Sequence, residues 1–132
     1  MLLSLITVTR NNAEGLKKTA ESLRRQSFQA FEWLVIDGGS TDDSVDFLKS
    51  IGVDFISEPD RGIYDAMNKG IDRANGFFLL FLNAGDTLAG DDTLTGLVGY
   101  IHELQETPDF IYGDALEERP GQAPSYKPAR PY

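Results

Sequence analysis

The sequence predicts an α/β protein of three layers, in which a mostly parallel sheet is covered by helices on both faces. Two observations predict it. Short runs of β-branched and apolar residues alternate along the chain with segments whose apolar residues recur at helical spacing. The predicted strands are also apolar throughout, which is typical of strands with both faces buried. The predicted order of elements is βαβαβαβαβ.

The first strand and the first helix occupy the N-terminal part of the chain. Residues 2–9 are short, apolar and rich in β-branched residues, which predicts a buried strand. Asn11 or Asn12 can cap the helix that follows. That helix is predicted to end near Gln26, and its apolar stripe is formed by Leu16, Ala20 and Leu23.

The second and third strands are predicted at residues 31–36 and 53–56. The second stops at DGGSTDDS, residues 37–44, where two glycines permit unusual backbone angles. Thr41 or Asp42 can cap a short helix that carries Val45, Phe47 and Leu48. Glu58 and Pro59 end the third strand.

The remaining elements follow the same alternation. A helix is predicted at residues 63–74, a fully buried fourth strand at 77–82, and a fifth strand at 109–112. Asp91 or Asp92 can cap the helix between the last two strands. Residues 117–132 contain four of the six prolines and show no periodicity, which predicts a loop or disordered tail.

Composition and charge restrict the classes of partner. The chain has 132 residues, of which 41% are hydrophobic and 25% charged, as in one globular domain. Its formal net charge of −9 would repel nucleic-acid phosphates, so no nucleic-acid partner is expected. It has no cysteine, which excludes disulfides and thiolate metal sites. Neither a membrane span nor a signal peptide is recognisable, so a cytoplasmic location is expected, with docking at the inner membrane face left open.

Polar and charged residues collect where the predicted strands end, which is where open parallel sheets bind ligands. For any single residue, a turn or a helix cap is a sufficient explanation. The joint pattern favours a binding site, because four consecutive strand ends each carry a carboxylate or a cation. The residues are Thr7, Thr9, Arg10 and Asn11; Asp37, Gly38 and Gly39; Glu58, Asp60 and Arg61; Asn83, Gly85 and Asp86.

Several known site types do not match. The segment after the first strand, TRNNAEG, is not the GxGxxG of a dinucleotide fold, and no P-loop or GxSxG elbow occurs. A phosphoacceptor signalling domain would need paired acids after the first strand, where Asn11 and Asn12 stand. The single histidine, His102, lies in the middle of a predicted helix and reads as a surface residue.

Four segments, taken in order, resemble the inverting family 2 glycosyltransferases, which have the GT-A fold. They are SLITVTRN, WLVIDGGSTDDS, SEPDRGIYDAMNKGIDRANG and FLNAGDTL, and the match covers about residues 3–114. The form DRGIYDAMNKG is similar to the branch that builds bacterial surface polysaccharides. The resemblance implies transfer of a sugar, with inversion, from a nucleoside diphosphate donor, with a UDP-sugar favoured, to a saccharide or lipid-linked acceptor.

The resemblance also implies roles for individual residues. Thr7 to Arg10 would line the base pocket, Asp37 would accept a hydrogen bond from the base, and Arg61 would lie near the phosphates. FLNAGD stands where the family carries its DxD element, so Asp86 would reach a Mg²⁺ or Mn²⁺ ion that bridges the diphosphate. The full implied set of substrate-binding residues is Thr7, Thr9, Arg10, Asp37, Gly39, Arg61, Asn83 and Gly85.

No general base is expected in this chain, because the family carries that carboxylate in a later, acceptor-binding half. The only late acids are Asp114, Glu117 and Glu118. Residues 1–116 are therefore predicted to be the donor-binding part, and residues 117–132 to lead into a missing acceptor half. The alternative to an enzyme part is a non-catalytic nucleotide-binding fragment or pseudoenzyme.

Overall fold

The computed structural model describes residues 1–111 and 113–129. Its first unit, Met1–Thr95, is built on four strands: β1 (Leu3–Thr9), β2 (Phe31–Asp37), β3 (Asp54–Ser57) and β4 (Phe78–Phe81). They lie in the order β3-β2-β1-β4, and all neighbours are parallel. The predicted α/β architecture with a mostly parallel sheet is confirmed.

Helices cover both faces of this sheet, as predicted. They are α1 (Ala13–Arg24), α2 (Ser44–Ile51) and α3 (Ile63–Arg73). A further helix, α4 (Thr93–Glu103), follows β4 in the chain. Leu16 of α1 and Leu48 of α2 pack with Val35 on one face of β2. Ala66 of α3 packs with Ile6, Val8, Leu34 and Ile36 on the opposite face.

Local polar contacts set where α1 and α2 begin. Asn12 is the N-cap of α1, and its side chain accepts a hydrogen bond from Gly15 N at 3.1 Å. Asp42 accepts hydrogen bonds from Ala13 N and Ser44 N, both at 3.0 Å, and so joins the starts of the two helices. The hydrogen bond from the Ser44 hydroxyl, followed by the backbone donors, lowers the pKa of Asp42.

Gly76 allows the segment before β4 to lie directly against β1. Its N–H donates to Ser4 Oγ at 2.7 Å. A Cβ at position 76 would lie 2.5 Å from Ser4 N and 2.7 Å from the carbonyl carbon of Leu3. Backbone atoms of a central strand cannot move aside as the end of a flexible side chain can, so only glycine fits here.

We therefore expect Gly76→Ala to lower the free energy of unfolding by about 1–2 kcal/mol, the cost of overpacking a close contact. Urea unfolding followed by circular dichroism measures it. Gly90→Ala is the matched control, because its Cβ would meet only Thr93 Oγ1, at 3.9 Å. Equal stability of the two variants would contradict the argument.

The fourth strand differs from its prediction as a fully buried strand. In β4 three residues are half-buried and one is exposed, with 37% of Leu79 accessible. The physical reason is position: β4 is the edge strand of the four-stranded sheet and has a strand neighbour, β1, on one side only. Apolar runs predict a strand but do not distinguish an edge strand from a central one.

The second unit, Gly96–Tyr132, corrects two predictions. Residues 109–111 of the predicted fifth strand form no strand, and Tyr112 lies outside the described residues. Instead β5 (Ala115–Glu117) pairs antiparallel with β6 (Ser125–Lys127), and β6 lies within residues 117–132, the region predicted to be a loop or disordered tail.

A tight turn and ion pairs explain why this C-terminal segment is ordered as a hairpin. Gln122 N donates to Arg119 O at 3.1 Å, and Gly121 has a φ of 74°. Proline followed by glycine suits such a turn, although the same pair in a sequence also reads as a loop. Lys127 pairs with Glu117 across the hairpin at 2.8 Å. Propensity alone did not reveal this pairing.

Candidate functional site

The ends of the first three strands meet in one row. Thr9 of β1 is in register with Asp37 of β2, and Asp37 with Ser57 of β3. The ladder continues beyond the strands, since Gly38 N donates to Thr9 O at 2.9 Å and Glu58 N to Asp37 O at 3.1 Å. The polar loops therefore start at one edge of the sheet, as the sequence predicted.

A cleft of about 260 Å³ lies at this edge, beside the ends of β1 and β4 and the first turn of α3. The chain moves outward from β1 through β2 and β3, and then returns to the other side of β1 as β4. Open parallel sheets bind ligands at such a reversal. Residues that line the cleft include Thr9, Arg10, Asp60, Gly62, Ile63 and Asn83.

Two oxygen atoms of the cleft residues are buried without a hydrogen-bond partner among the described residues. They are Thr9 Oγ1, on a side chain that is 7% exposed, and Asn83 Oδ1. An unpaired buried polar group costs about 1–3 kcal/mol. Such atoms are rare in folded proteins, so each one points to a partner from outside the chain.

Four acids follow the strand ends, and their partners differ. Asp37 is buried and hydrogen-bonded, Glu58 pairs with Lys69 at 3.1 Å, and Asp60 accepts from Gly62 N at 3.0 Å. The carboxylate of Asp86 is exposed and has no partner among the described residues. Turn and cap chemistry thus accounts for three of the acids and not for Asp86.

Asp37 ties three loops together. Its Oδ2 accepts from Gly39 N at 3.2 Å, from Ser40 N at 2.9 Å and from the Ser57 hydroxyl at 2.7 Å. Its Oδ1 accepts from the Ser40 hydroxyl. Asp37 is 0% exposed, so its carboxylate already serves as a structural acceptor. The implied hydrogen bond from Asp37 to a base stays a prediction.

Asp86 lies at the end of a tight turn that follows β4. Asp86 N donates to Asn83 O at 2.9 Å, and Gly85 has a φ of 98°, which favours glycine. The turn is held from below by α1, since Asn12 Nδ2 donates to Ala84 O at 3.2 Å. The main chain of Asp86 is thus fixed by the turn, while its carboxylate stays exposed at this end of the sheet.

The other predicted site residues differ in their burial and in their position relative to the cleft. Thr7 is fully buried and accepts a hydrogen bond from Trp33 Nε1 at 2.9 Å, and its implied role in lining the base pocket stays a prediction. Trp33 lies on β2 two residues before Val35, which is the register partner of Thr7. Gly39 has a φ of 85° and lies against Pro59, while Arg61 and Gly85 are exposed outside the cleft lining.

Asp60 and the start of α3 are site residues that the predicted set omitted. Asp60 lies so close to the β2 loop that a Cβ on Gly38 would be 2.7 Å from its Oδ2. Gly62, the N-cap of α3, provides no side-chain cap, so first-turn N–H groups face the cleft region uncapped. The signal was available, because Asp60 follows the third strand within the SEPDRG segment.

The donor set fits a hard divalent cation only in part. Within residues 1–111 and 113–129, no group of three or more His, Asp or Glu side chains could hold a metal ion. Mg²⁺ commonly takes one or two carboxylates together with substrate phosphates and water. A single free carboxylate at Asp86, with the oxygen of Asn83 in the same turn, suits that kind of shared site.

Comparison with known proteins gives the family. The model of glycosyl transferase family 2 matches residues 4–125. The chain belongs to glycosyl transferase family 2. The GT-A fold inferred from the resemblance is confirmed.

Family 2 relatives include a PGL/p-HBAD biosynthesis glycosyltransferase of Mycobacterium bovis, 40% identical over 121 residues. That match covers 87% of this chain and 47% of the relative. A putative glycosyltransferase of Bacillus subtilis, EpsH, is 26% identical and is covered to 38%. The chain therefore spans about half the length, or less, of the curated relatives it matches.

Solved structures of similar fold include a complex of S. aureus TarS 1-349 with UDP-GlcNAc. It is 26% identical, has a TM-score of 0.71, and the match covers 78% of this chain and 32% of TarS 1-349. The mannosyltransferase PcManGT of Pyrobaculum calidifontis, in complex with GDP-Man and Mn²⁺, has a TM-score of 0.70 at 21% identity. Its match covers 76% of this chain and 32% of PcManGT. In the part of this chain that the structure describes, no helix is long and apolar enough to cross a membrane.

Proposed function

We propose that this chain is the donor-binding part of an inverting glycosyltransferase, which takes a sugar from a nucleoside diphosphate donor. The acceptor would be a saccharide or a lipid-linked molecule. The observation that carries the proposal is the pair of buried, unpaired oxygens, Thr9 Oγ1 and Asn83 Oδ1, on residues of the cleft between β1 and β4. A ligand with hydroxyl or N–H groups would complete both hydrogen bonds.

The chemistry of the two oxygens determines which hydrogen-bonding groups such a ligand must have. The Asn83 oxygen can only accept a hydrogen bond, whereas the Thr9 hydroxyl can donate and accept. A nucleotide has both kinds of group on its ribose and base. An apolar ligand would leave both oxygens unpaired, at a cost of about 1–3 kcal/mol for each.

Local positive charge supports an anionic donor despite the net charge of −9. Arg10 lines the cleft, and neither Arg10 nor Arg61 is paired with an acid among the described residues. The start of α3, at Gly62 and Ile63, adds uncapped N–H groups and the positive end of a helix dipole. Three of the four strand-end acids are already occupied by internal partners, which limits repulsion of a diphosphate.

Asp86 would be the protein ligand of a divalent cation shared with the diphosphate. A bound Mg²⁺ or Mn²⁺ would stabilise the leaving diphosphate as charge develops on it. This chain would orient the donor. The turn from Asn83 to Asp86 would position the carboxylate, and the neighbouring cleft would bind the nucleotide. The departures from the family's DxD pattern at Asn83 and Gly85 leave one carboxylate for this role.

Two of the three late acids, Asp114 and Glu117, are poor candidates for the general base that removes the acceptor's proton. Asp114 accepts hydrogen bonds from the Tyr126 hydroxyl and from Ala129 N. Hydrogen bonds from Lys127 and then Arg119 lower the pKa of Glu117, which weakens it as a base. The base is therefore proposed to lie in the acceptor-binding part of the whole protein.

The names of similar proteins support this direction. The mycobacterial relative is named for PGL/p-HBAD biosynthesis, and the TarS complex contains UDP-GlcNAc. The TarS complex supports a UDP-sugar donor, and the mycobacterial relative supports a glycolipid as the acceptor class.

The test is calorimetric titration of the 132-residue chain with UDP, GDP and CDP, with and without Mn²⁺. We expect binding that requires Mn²⁺ and is tightest for UDP. We expect no sugar transfer by the chain alone, since loss of a positioned base typically costs 10²–10⁴-fold in rate.

A parallel transfer assay on the full-length protein separates the enzyme from the non-catalytic alternative. Transfer by the full-length protein supports the enzyme, and its lack together with intact nucleotide binding supports the pseudoenzyme. Failure of every nucleotide to bind, with Mn²⁺ present, would overturn the proposed donor site.

A further inference from the structure

Polar side chains along one face of α1 and its flanking residues form hydrogen bonds with the segment after β4, residues 83–94. The residues Asn12, Thr19, Ser22 and Gln26 recur at spacings of seven, three and four, which places them on one side of a helix. Thr19 is 0% and Gln26 4% exposed, so two of these four polar side chains are buried, while Ser22 is half-buried and Asn12 is exposed. Buried polar side chains are retained in a fold where they have partners to satisfy.

All their partners in the segment are main-chain atoms. Asn12 Nδ2 donates to Ala84 O, and Ser22 Oγ accepts from Leu88 N at 2.9 Å. Gln26 donates to Gly90 O at 2.6 Å and accepts from Leu94 N at 3.1 Å. The contacts therefore determine where the segment lies without depending on its side chains.

Thr19 contacts the part of the segment that carries the free carboxylate. Its hydroxyl accepts from Gly85 N at 3.0 Å and lies 2.8 Å from Asp86 O, to which it donates. The two hydrogen bonds thus hold the N–H of Gly85 and the carbonyl of Asp86 itself. The Asp86 carboxylate has no partner among the described residues, so its direction depends on the main chain that Thr19 holds.

We infer that Thr19 is a positioning residue for Asp86, and that its hydroxyl sets the affinity of the site for a metal-bound diphosphate. The inference rests on the proposed function, because it gives Asp86 the role of cation ligand. Thr19 itself touches neither nucleotide nor metal. A residue that acts through another should lose its effect when that other residue is removed.

The test compares Thr19→Val, which keeps the shape and removes the hydroxyl, with Thr19→Ser, which keeps the hydroxyl. We expect Thr19→Val to weaken UDP binding in Mn²⁺ by about tenfold, since a misplaced charged contact typically costs more than 1 kcal/mol. Binding of uridine, which has no phosphate, should change less than about twofold. Thr19→Ser should restore UDP affinity to within about threefold of the parent.

Ser44→Ala is the matched control, because Ser44 lies on α2 and its fully buried hydroxyl donates to Asp42, away from Asp86 in sequence. It should lower stability without changing UDP affinity. The decisive comparison is Thr19→Val in the Asp86→Ala background, where the hydroxyl should have no further effect on binding. If Thr19→Val does not fold, Thr19→Cys, with a weaker donor and acceptor, should show the same direction.

Unchanged UDP affinity in Thr19→Val would overturn the inference, as would an equal loss for uridine and UDP. An additional loss in the double variant would also overturn it, since Thr19 would then act independently of Asp86. If the parent chain binds UDP with Mn²⁺ and Asp86→Ala binds equally well, the cation role of Asp86 fails instead. The two failures are therefore distinguishable.

Discussion

Replacing Asp37 by asparagine is expected to lower the free energy of unfolding by about 3 kcal/mol, because one acceptor oxygen becomes an NH₂ group that faces donors. Gly39 N, Ser40 N and the hydroxyls of Ser40 and Ser57 all donate to the buried carboxylate. At least one of these donors loses its partner in the variant. Chemical unfolding, followed by circular dichroism, measures the change.

Asp43→Asn is the control for the Asp37 prediction. Asp43 precedes α2, is exposed, and makes no side-chain cap hydrogen bond, so its replacement should change stability by less than about 0.5 kcal/mol. A stable Asp37→Asn variant with an altered preference among UDP, GDP and CDP would contradict the structural role. It would support the role in base recognition that the family resemblance implies.

Asp86→Ala is expected to weaken Mn²⁺-dependent UDP binding by about 1.5–3 kcal/mol, the scale of a lost charged contact. Stability should change little, because the carboxylate is exposed and has no partner among the described residues. Calorimetric titration with UDP and Mn²⁺ measures the affinity. Asp43→Ala, which removes another exposed carboxylate, is the matched control.

Equal affinity of Asp86→Ala and the parent in Mn²⁺ would show that Asp86 serves only the turn. A comparison in EDTA sharpens the result, because the variant and the parent should then bind UDP equally weakly. A difference that persists in EDTA would mean that Asp86 contacts the nucleotide without a metal.

Much of the fold could be predicted from the sequence, because its signals are local. The β-branched run of β1, the glycines after β2 and the stripe of α3 each specify an element through neighbouring residues. The pairing at the C-terminus could not be predicted, because β5 and β6 exist only through contact with each other. The Pro120–Gly121 turn that joins them has the composition of a disordered segment.

The location of the candidate site, where the parallel strands end, could be predicted from the sequence. The role of each acidic residue within the site could not. The sequence shows four acids at three strand ends, and only the structure shows which carboxylates already have partners. Asp37 and Asp86 look alike in sequence, yet one is buried among four donors and the other is exposed. Thr19 carries no signal, since a threonine within a helical stripe is consistent with an ordinary surface position.

The position of the cleft has a consequence for the order of folding. It lies between β1, the first strand of the chain, and β4, the last strand of the sheet, and β2 and β3 come between them in sequence. β1 and β2 can pair early, across a short loop closure, whereas the β1–β4 contact requires the longest closure in the sheet. The cleft is thus completed last as the chain leaves the ribosome, and a nascent chain that ends before Phe78 has three of the strands but no pocket for a ligand.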